Sequence, residues 1–311
     1  MFAIVRKELA DSFNSVRFLV LFLLVLIASG LGIMAVQNGI RAALEQSQAV
    51  VENGFVFLAM FTSSFPGISF LNFATVITII VPIIGISLGF DAINSERSGR
   101  TMSRLLAQPV YRDGVINGKF LAGLITMSLM IATAILLMAG YGLRMIGVPP
   151  TSEEIIRLFS YMVITIVYGA FWMALAMLFS VVFRRAAGSL LVPIILFLIL
   201  VAWTFVGSAI APVDGNATLE VQVRQMEFQQ TILRLSPAYL FEEALFVILN
   251  PVMFGMGVVT TAQAAYMVAN PLSLGQSLLS IWPHIVGLIS LSVVFFAISY
   301  IVFMKQEIRS A

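Results

Sequence analysis

The sequence predicts an all-α integral membrane protein, and three observations carry that prediction. Hydrophobic residues make up 60% of the 311 residues, and charged residues only 10%. A chain so poor in charge cannot cover itself with solvated groups, so lipid must be its solvent. Nearly uncharged runs recur along it, each close to the roughly 20 residues that a helix needs to cross the hydrocarbon core. Lys and Arg collect in short connections between those runs, a pattern of membrane topology and not of a nucleic-acid surface.

Residues 1–311 read as one transmembrane domain, element by element. Phe2, Val5, Leu9 and Phe13 recur at helical spacing opposite Arg6, Lys7, Asp11 and Asn14, so residues 1–16 are expected to lie along the membrane interface as an amphipathic helix. The run at 18–36 exceeds the roughly 7–15 residues of a signal-peptide core and is read as a retained span. Further spans are expected at about 70–90, 120–143, 158–183, 186–212 and 285–304. Gly85 and Gly89 in the second span allow either close helix approach or incidental glycine in lipid.

Two connections are long. Residues 37–69 open with NGIRAALEQSQAVVEN, a short amphipathic helix, followed by GFVFLAMFTSSFPGISF, which Ser, Pro and Gly interrupt too often for a span. Residues 213–284 contain SPAYLFEEALFVILNPVMFGMGVV. The adjacent Glu242 and Glu243 are expensive in a spanning helix, so re-entrant or interfacial helices bounded by Pro237 and Pro251 are expected before the last span.

With six spans both termini share one side. That side holds Arg6, Lys7, Arg17, Arg97, Arg100, Arg104, Arg112, Lys119, Arg184, Arg185, Lys305 and Arg309, against Arg41, Arg144, Arg157, Arg224 and Arg234 on the other. By the positive-inside rule both termini are expected in the cytoplasm of a cell whose inner or plasma membrane holds the chain.

Several chemistries are missing. There is no cysteine, and the single histidine, His284, cannot build a multi-histidine metal site. No ionisable residue falls near the centre of an expected span, which weighs against a carrier powered by ion coupling. Two strings imitate nucleotide motifs. In GVINGKF, Gly114 to Phe120, the glycines are one residue too close for a P-loop and Phe replaces the Ser or Thr that would hold magnesium. LSLGQ, Leu272 to Gln276, puts Leu274 in a glycine position of the LSGGQ signature of cassette ATPases, on the wrong side of the membrane. The chain is therefore not expected to hydrolyse ATP, nor to carry a cofactor of its own.

The stretch SERSGRTMSRLLAQPVYRDGVINGKF concentrates the basic residues, and 95–119 reads as a loop between two spans. Thr101 is placed to cap a short helix, Met102 to Ala107, that Pro109 ends. Met102, Leu105 and Leu106 share one face of it, with Arg100 and Arg104 on a flank. On residues alone this is either an apolar knob for a partner's groove or a charged loop that fixes topology.

Phe90 to Arg97, Thr101-Met102, Leu105-Leu106, Gln108-Pro109-Val110, Arg112-Asp113 and Gly118-Lys119-Phe120 resemble the first intracellular loop of type 2 ATP-binding cassette (ABC) exporter permeases. LSPAYLFEEALFVILNP is similar to a segment of the subgroup that includes copper-site assembly permeases of nitrous oxide reductase maturation. One departure is Gly99 before Arg100, where the family sets Gly directly before Thr. The resemblance implies a homodimeric permease that exports an unknown substrate, and two copies of a separate ATPase that binds the ATP and magnesium. It also implies a coupling helix that docks on that ATPase, with Glu96, Arg97, Arg100, Thr101, Met102, Arg104, Leu105, Leu106, Pro109 and Arg112 as the docking set. The alternatives are a self-contained secondary carrier or channel, and an intramembrane enzyme, for which a lone histidine is a poor start.

Overall fold

The computed structural model describes residues 2–45, 55–65, 68–98, 111–147, 149–183, 185–251 and 272–306. Helix α1 (Phe2–Phe13) precedes α2 (Val16–Glu45), a short α3 (Val56–Thr62), a hairpin of β1 (Ser64–Phe65) and β2 (Ile68–Asn72), α4 (Phe73–Gly89) and α5 (Asn94–Ser98). Then come α6 (Arg112–Ile146), α7 (Ser152–Val182), α8 (Ala186–Ile210), α9 (Leu219–Leu233), α10 (Pro237–Leu249) and α11 (Leu274–Lys305). Among the described residues six helices are long and apolar enough to cross a membrane, those built on α2, α4, α6, α7, α8 and α11. The all-α membrane architecture read from the sequence is therefore the one found, with the small antiparallel hairpin as its only described sheet.

The boundaries follow local chemistry. Thr151 and Glu154 cap each other's backbone amides at the start of α7. Gly147 ends α6 in the left-handed region, φ 74°, where its amide reaches Leu143 O at 3.1 Å. Ser273 and Gln276 form the same reciprocal cap on α11, so the LSLGQ string is a helix start and not a nucleotide signature.

The last span differs from its expected extent. It was expected to begin at 285, just after His284, yet α11 runs unbroken from Leu274, because Ser277, Ile281, His284 and Leu288 form one buried stripe at helical spacing. His284 accordingly lies inside the bundle, ten residues or about 15 Å along its helix. The α6 helix likewise starts at Arg112, ahead of the expected Phe120, and residues 38–45 continue α2 without forming a separate helix.

Helix α7 is the spine. It packs against α4, α6, α8, α10 and α11, and it buries Tyr161, Tyr168 and Trp172 completely. Glycines let α4 touch it backbone to backbone: a Cβ at Gly85 would lie 2.7 Å from Gly169 O, and one at Gly89 2.6 Å from Met173 O. Close approach, not incidental glycine, is their role.

Helices α9 and α10 form a re-entrant hairpin at the end of the bundle far from the termini. The α9 helix folds back along α8, with Trp203 Nε1 donating to Ile232 O at 2.9 Å and Leu233 against Gly207. The hairpin turns where Ser236 Oγ donates to Leu200 O at 3.1 Å, ten residues or about 15 Å below the end of α8. The α10 helix then climbs back out. Its 13 residues span about 20 Å, short of a roughly 30 Å hydrocarbon core, and the Leu272 amide meets Pro251 O at 2.8 Å where the chain enters α11. The expected non-spanning character of Ser236–Val259 holds for the helix seen, and 252–259 lie outside the described residues.

Two charged assemblies hold this hairpin. Arg234 and His284 both bind Glu243, at 2.7 Å each. Nearer the α7 terminus, the fully buried Arg157 uses all five N–H donors. Its Nε and Nη2 go to Glu153 Oε1, Nη2 also to Leu272 O at 2.6 Å, and Nη1 to Ile248 O and Ser277 Oγ at 3.3 and 3.1 Å. Next to it Glu154 accepts the Phe57 amide at 3.0 Å, tying α3 to the same corner. Replacing Arg157 by Ala is expected to destabilise the bundle by about 1–3 kcal/mol for each carbonyl left unpaired. Arg157→Lys should recover only part of it, because an ammonium cannot reproduce the planar fork. Thermal unfolding in detergent measures both.

Candidate coupling site

In sequence the basic loop joins α5 to α6. Arg100, Thr101, Met102, Arg104, Leu105, Leu106 and Pro109 lie outside the described residues. Arg97 occupies α5 by its backbone. Glu96 and Arg112, at the loop's two ends, are placed in detail.

Glu96 faces Lys119, whose ammonium lies 3.2 Å from Glu96 Oε1 and 2.8 Å from Glu8 Oε1. The Lys119 side chain is 6% exposed, so this charge is buried between two carboxylates that neutralise it. Lys7 adds a half-exposed ammonium 3.7 Å from Glu96 and 3.5 Å from Glu8. Partial burial pulls the Lys7 pKa down, but Glu8, Glu96 and Asp11 outweigh it and leave the pKa above its ordinary value. Thus Lys7 is a cation throughout the physiological range. Arg112 Nη1 donates to Gln306 O at 3.3 Å, and Gln306 Nε2 to Val181 O at 3.0 Å, so the other end of the loop is bound to the ends of α7 and α11.

Helix α1 is held here by shape as well as charge. A Cβ at Gly118 would lie 2.9 Å from Ile4, so the missing side chain lets α1 settle on α6 and brings Glu8 to Lys119. The contacting face therefore carries Ile4, Val5 and Glu8, whereas Phe2, assigned to the same apolar face by periodicity, is 89% exposed. An exposed Phe2 and Phe13 suit a helix whose outer side meets lipid.

The turn between α4 and α5 is pinned by hydroxyls. Ser180 Oγ accepts the Ile93 and Asn94 amides at 3.0 and 3.2 Å, and Asn94 Nδ2 donates to Ser189 Oγ, which in turn donates to Phe90 O at 2.6 Å. One turn earlier Arg17 grips Asp91 with both terminal nitrogens, at 2.8 and 2.5 Å. The base of the loop is thus joined to α1, α2, α6, α7, α8 and α11. Chain spacing alone could not have paired Glu8 with Lys119, 111 positions apart, or Asn94 with Ser189. A lysine set directly against the apolar run at Phe120 was the one signal that a carboxylate must lie nearby.

The model of the ABC-2 family transporter proteins matches residues 2–308. The chain belongs to this family. No curated protein matches it. As an ABC-2 family protein with six apolar helices, it is a multi-pass membrane protein and a transmembrane permease of an ABC transporter. Such permeases are membrane subunits that work beside an ABC ATPase, and in this ABC-2 protein the loop resembling the family's first intracellular loop is the one with the anchored base.

Lys119→Met would remove the buried ammonium between Glu8 and Glu96 and leave the half-exposed Lys7 beside them. The expected loss is about 3–5 kcal/mol of stability, as for breaking a buried pair. Lys7→Met should cost about 0–1 kcal/mol. Unfolding midpoints of the two purified variants give the comparison.

Proposed function

We propose that this ABC-2 permease is an exporter subunit, two copies of which pair with two copies of a separately encoded ATPase. The match across residues 2–308 carries the reading. In it, Met102, Leu105 and Leu106 enter a groove of the ATPase, Arg100 and Arg104 line the rim, Thr101 and Pro109 bound the helix, and Glu96, Arg97 and Arg112 brace its ends. ATP-driven closure of the ATPase pair pushes this helix, and its anchored base spreads the push to the spans. Support comes from the ties of Glu96 to α1 and α6 and of Arg112 to Gln306, since a loop on a loose base would absorb the movement. Both termini and the loop then lie in the cytoplasm, and ATP and magnesium belong to the partner. Export, and kinship with the copper-site assembly subgroup, rest on resemblance, the latter through the segment from Leu235 to Pro251.

A self-contained carrier would draw on the triad of Arg234, Glu243 and His284, ionisable groups within the bundle that the expected spans lacked. In that triad Glu243 is held by both partners, so its carboxylate is not an open ion site.

Leu105→Asp or Leu106→Asp should abolish capture of the ATPase, because an unpaired carboxylate in an apolar groove costs several kcal/mol. Insertion and bundle packing should survive. Full capture and transport by both variants would reduce the loop to a topological device. In a chain without cysteine, Ser310→Cys should resist an impermeant reagent added outside intact cells, and labelling there would reverse the orientation.

A further inference from the structure

Glu242 and Glu243 are neighbours in sequence with opposite surroundings. Glu243 points at α11 and is neutralised by Arg234 and His284. Glu242, the next residue and so about 100° farther round α10, is exposed, and among the described residues no cation pairs with it. It is not alone on that face. Tyr239 and Phe246 stand three residues before and four after it, the positions that adjoin it on a helix, and Phe246 is 51% exposed. The opposite face of α10, with Phe241, Ala244, Leu245 and Ile248, is buried in the bundle.

The depth of this face matters. The Phe241 ring stacks on Tyr168 at 4.1 Å, and Tyr168 is the seventeenth of the 31 residues of α7. Leu200, at the hairpin turn, is the fifteenth of the 25 residues of α8. Both rulers put the start of α10 near the middle of the bundle, and Glu242 only one to two turns beyond it. A carboxylate presented there is costly against lipid tails and favourable against a cation. Two aromatic rings flanking a carboxylate are a recognised setting for organic cations, the ring faces attracting the charge and the carboxylate balancing it.

We propose that Tyr239, Glu242 and Phe246 form a recognition site for an amphipathic organic cation in the half of the transport path far from the termini. This rests on the permease reading and adds a substrate class to it. Glu243 fixes the helix and Glu242 meets the ligand, so two adjacent carboxylates take different roles by environment.

The test is equilibrium binding to the full-length permease purified in detergent, without ATPase, using tetraphenylphosphonium as probe and tetraphenylborate as an anion of the same shape. Saturable binding of the cation in preference to the anion is expected. Glu242→Gln should weaken it about tenfold, Tyr239→Leu and Phe246→Leu several-fold, and Glu220→Gln, on the exposed side of α9, not at all. Unfolding midpoints show whether each variant is folded, and if Glu242→Gln is not, the two aromatic variants carry the comparison. Equal binding of both ions, or undiminished cation binding in the folded variants, overturns the proposal. So does absence of saturable binding, the outcome expected where a second copy or lipid headgroups cover the face. Because the assay needs no ATPase, its failure leaves the docking reading standing, and loss of ATPase capture leaves the cation site standing.

Discussion

A charged group buried in the bundle must bring its partner, and the architecture of this permease depends on that constraint. Arg157 shows it most fully. Its buried guanidinium makes five hydrogen bonds to four acceptors, and these come from α7 itself, the exit of α10 and the entrance of α11. Satisfying one charge thereby fixes where three chain segments meet. The same rule governs Lys119, whose two carboxylates bring α1 and α5 onto α6.

Between these polar ends the bundle is held by fit. Lipid tails are as apolar as leucine, so helices associate through close contact and not through exclusion of water. Gly85, Gly89 and Gly169 supply it by letting α4 reach the backbone of α7. The aromatic side chains of α7 then act as long contacts, with Tyr161 edge-on to Phe61, Tyr168 stacked on Phe241 and Trp172 edge-on to Phe197. Through one helix the core joins α3, α10 and α8. The α9–α10 hairpin is held to this spine by the buried apolar face of α10 as well as by the ion pairs and hydroxyl bonds at its ends.

The spans and the family were legible because each depends on local chemistry. Uncharged length makes a span, and the wording around Glu96-Arg97, Leu105-Leu106 and Gly118-Lys119 marks the loop without knowledge of its neighbours. Span ends were less legible. The last span was expected to begin just after His284, but the cap that starts α11 lies three turns earlier at Ser273 and Gln276. Glu242 and Glu243 were read together as a burden on a spanning helix. That argument excluded a span without revealing that one of them would be neutralised and the other left facing outward.

Composition, hydropathy and basic-residue placement by themselves determined that this is a six-span helical membrane protein with a short helix at its N-terminus and a non-spanning segment before the last span. These are properties of consecutive residues, summed over windows as long as a bilayer is thick. Tertiary structure alone decided that Lys119 is buried between Glu8 and Glu96, that Arg157 is the clasp of the far end, that the α9–α10 hairpin reaches the middle of the bundle, and that His284 sits inside it. Those outcomes depend on which helix faces are brought within hydrogen-bond reach across gaps of up to 120 residues, and a polar side chain's partner is set by that meeting and not by its neighbours in the chain.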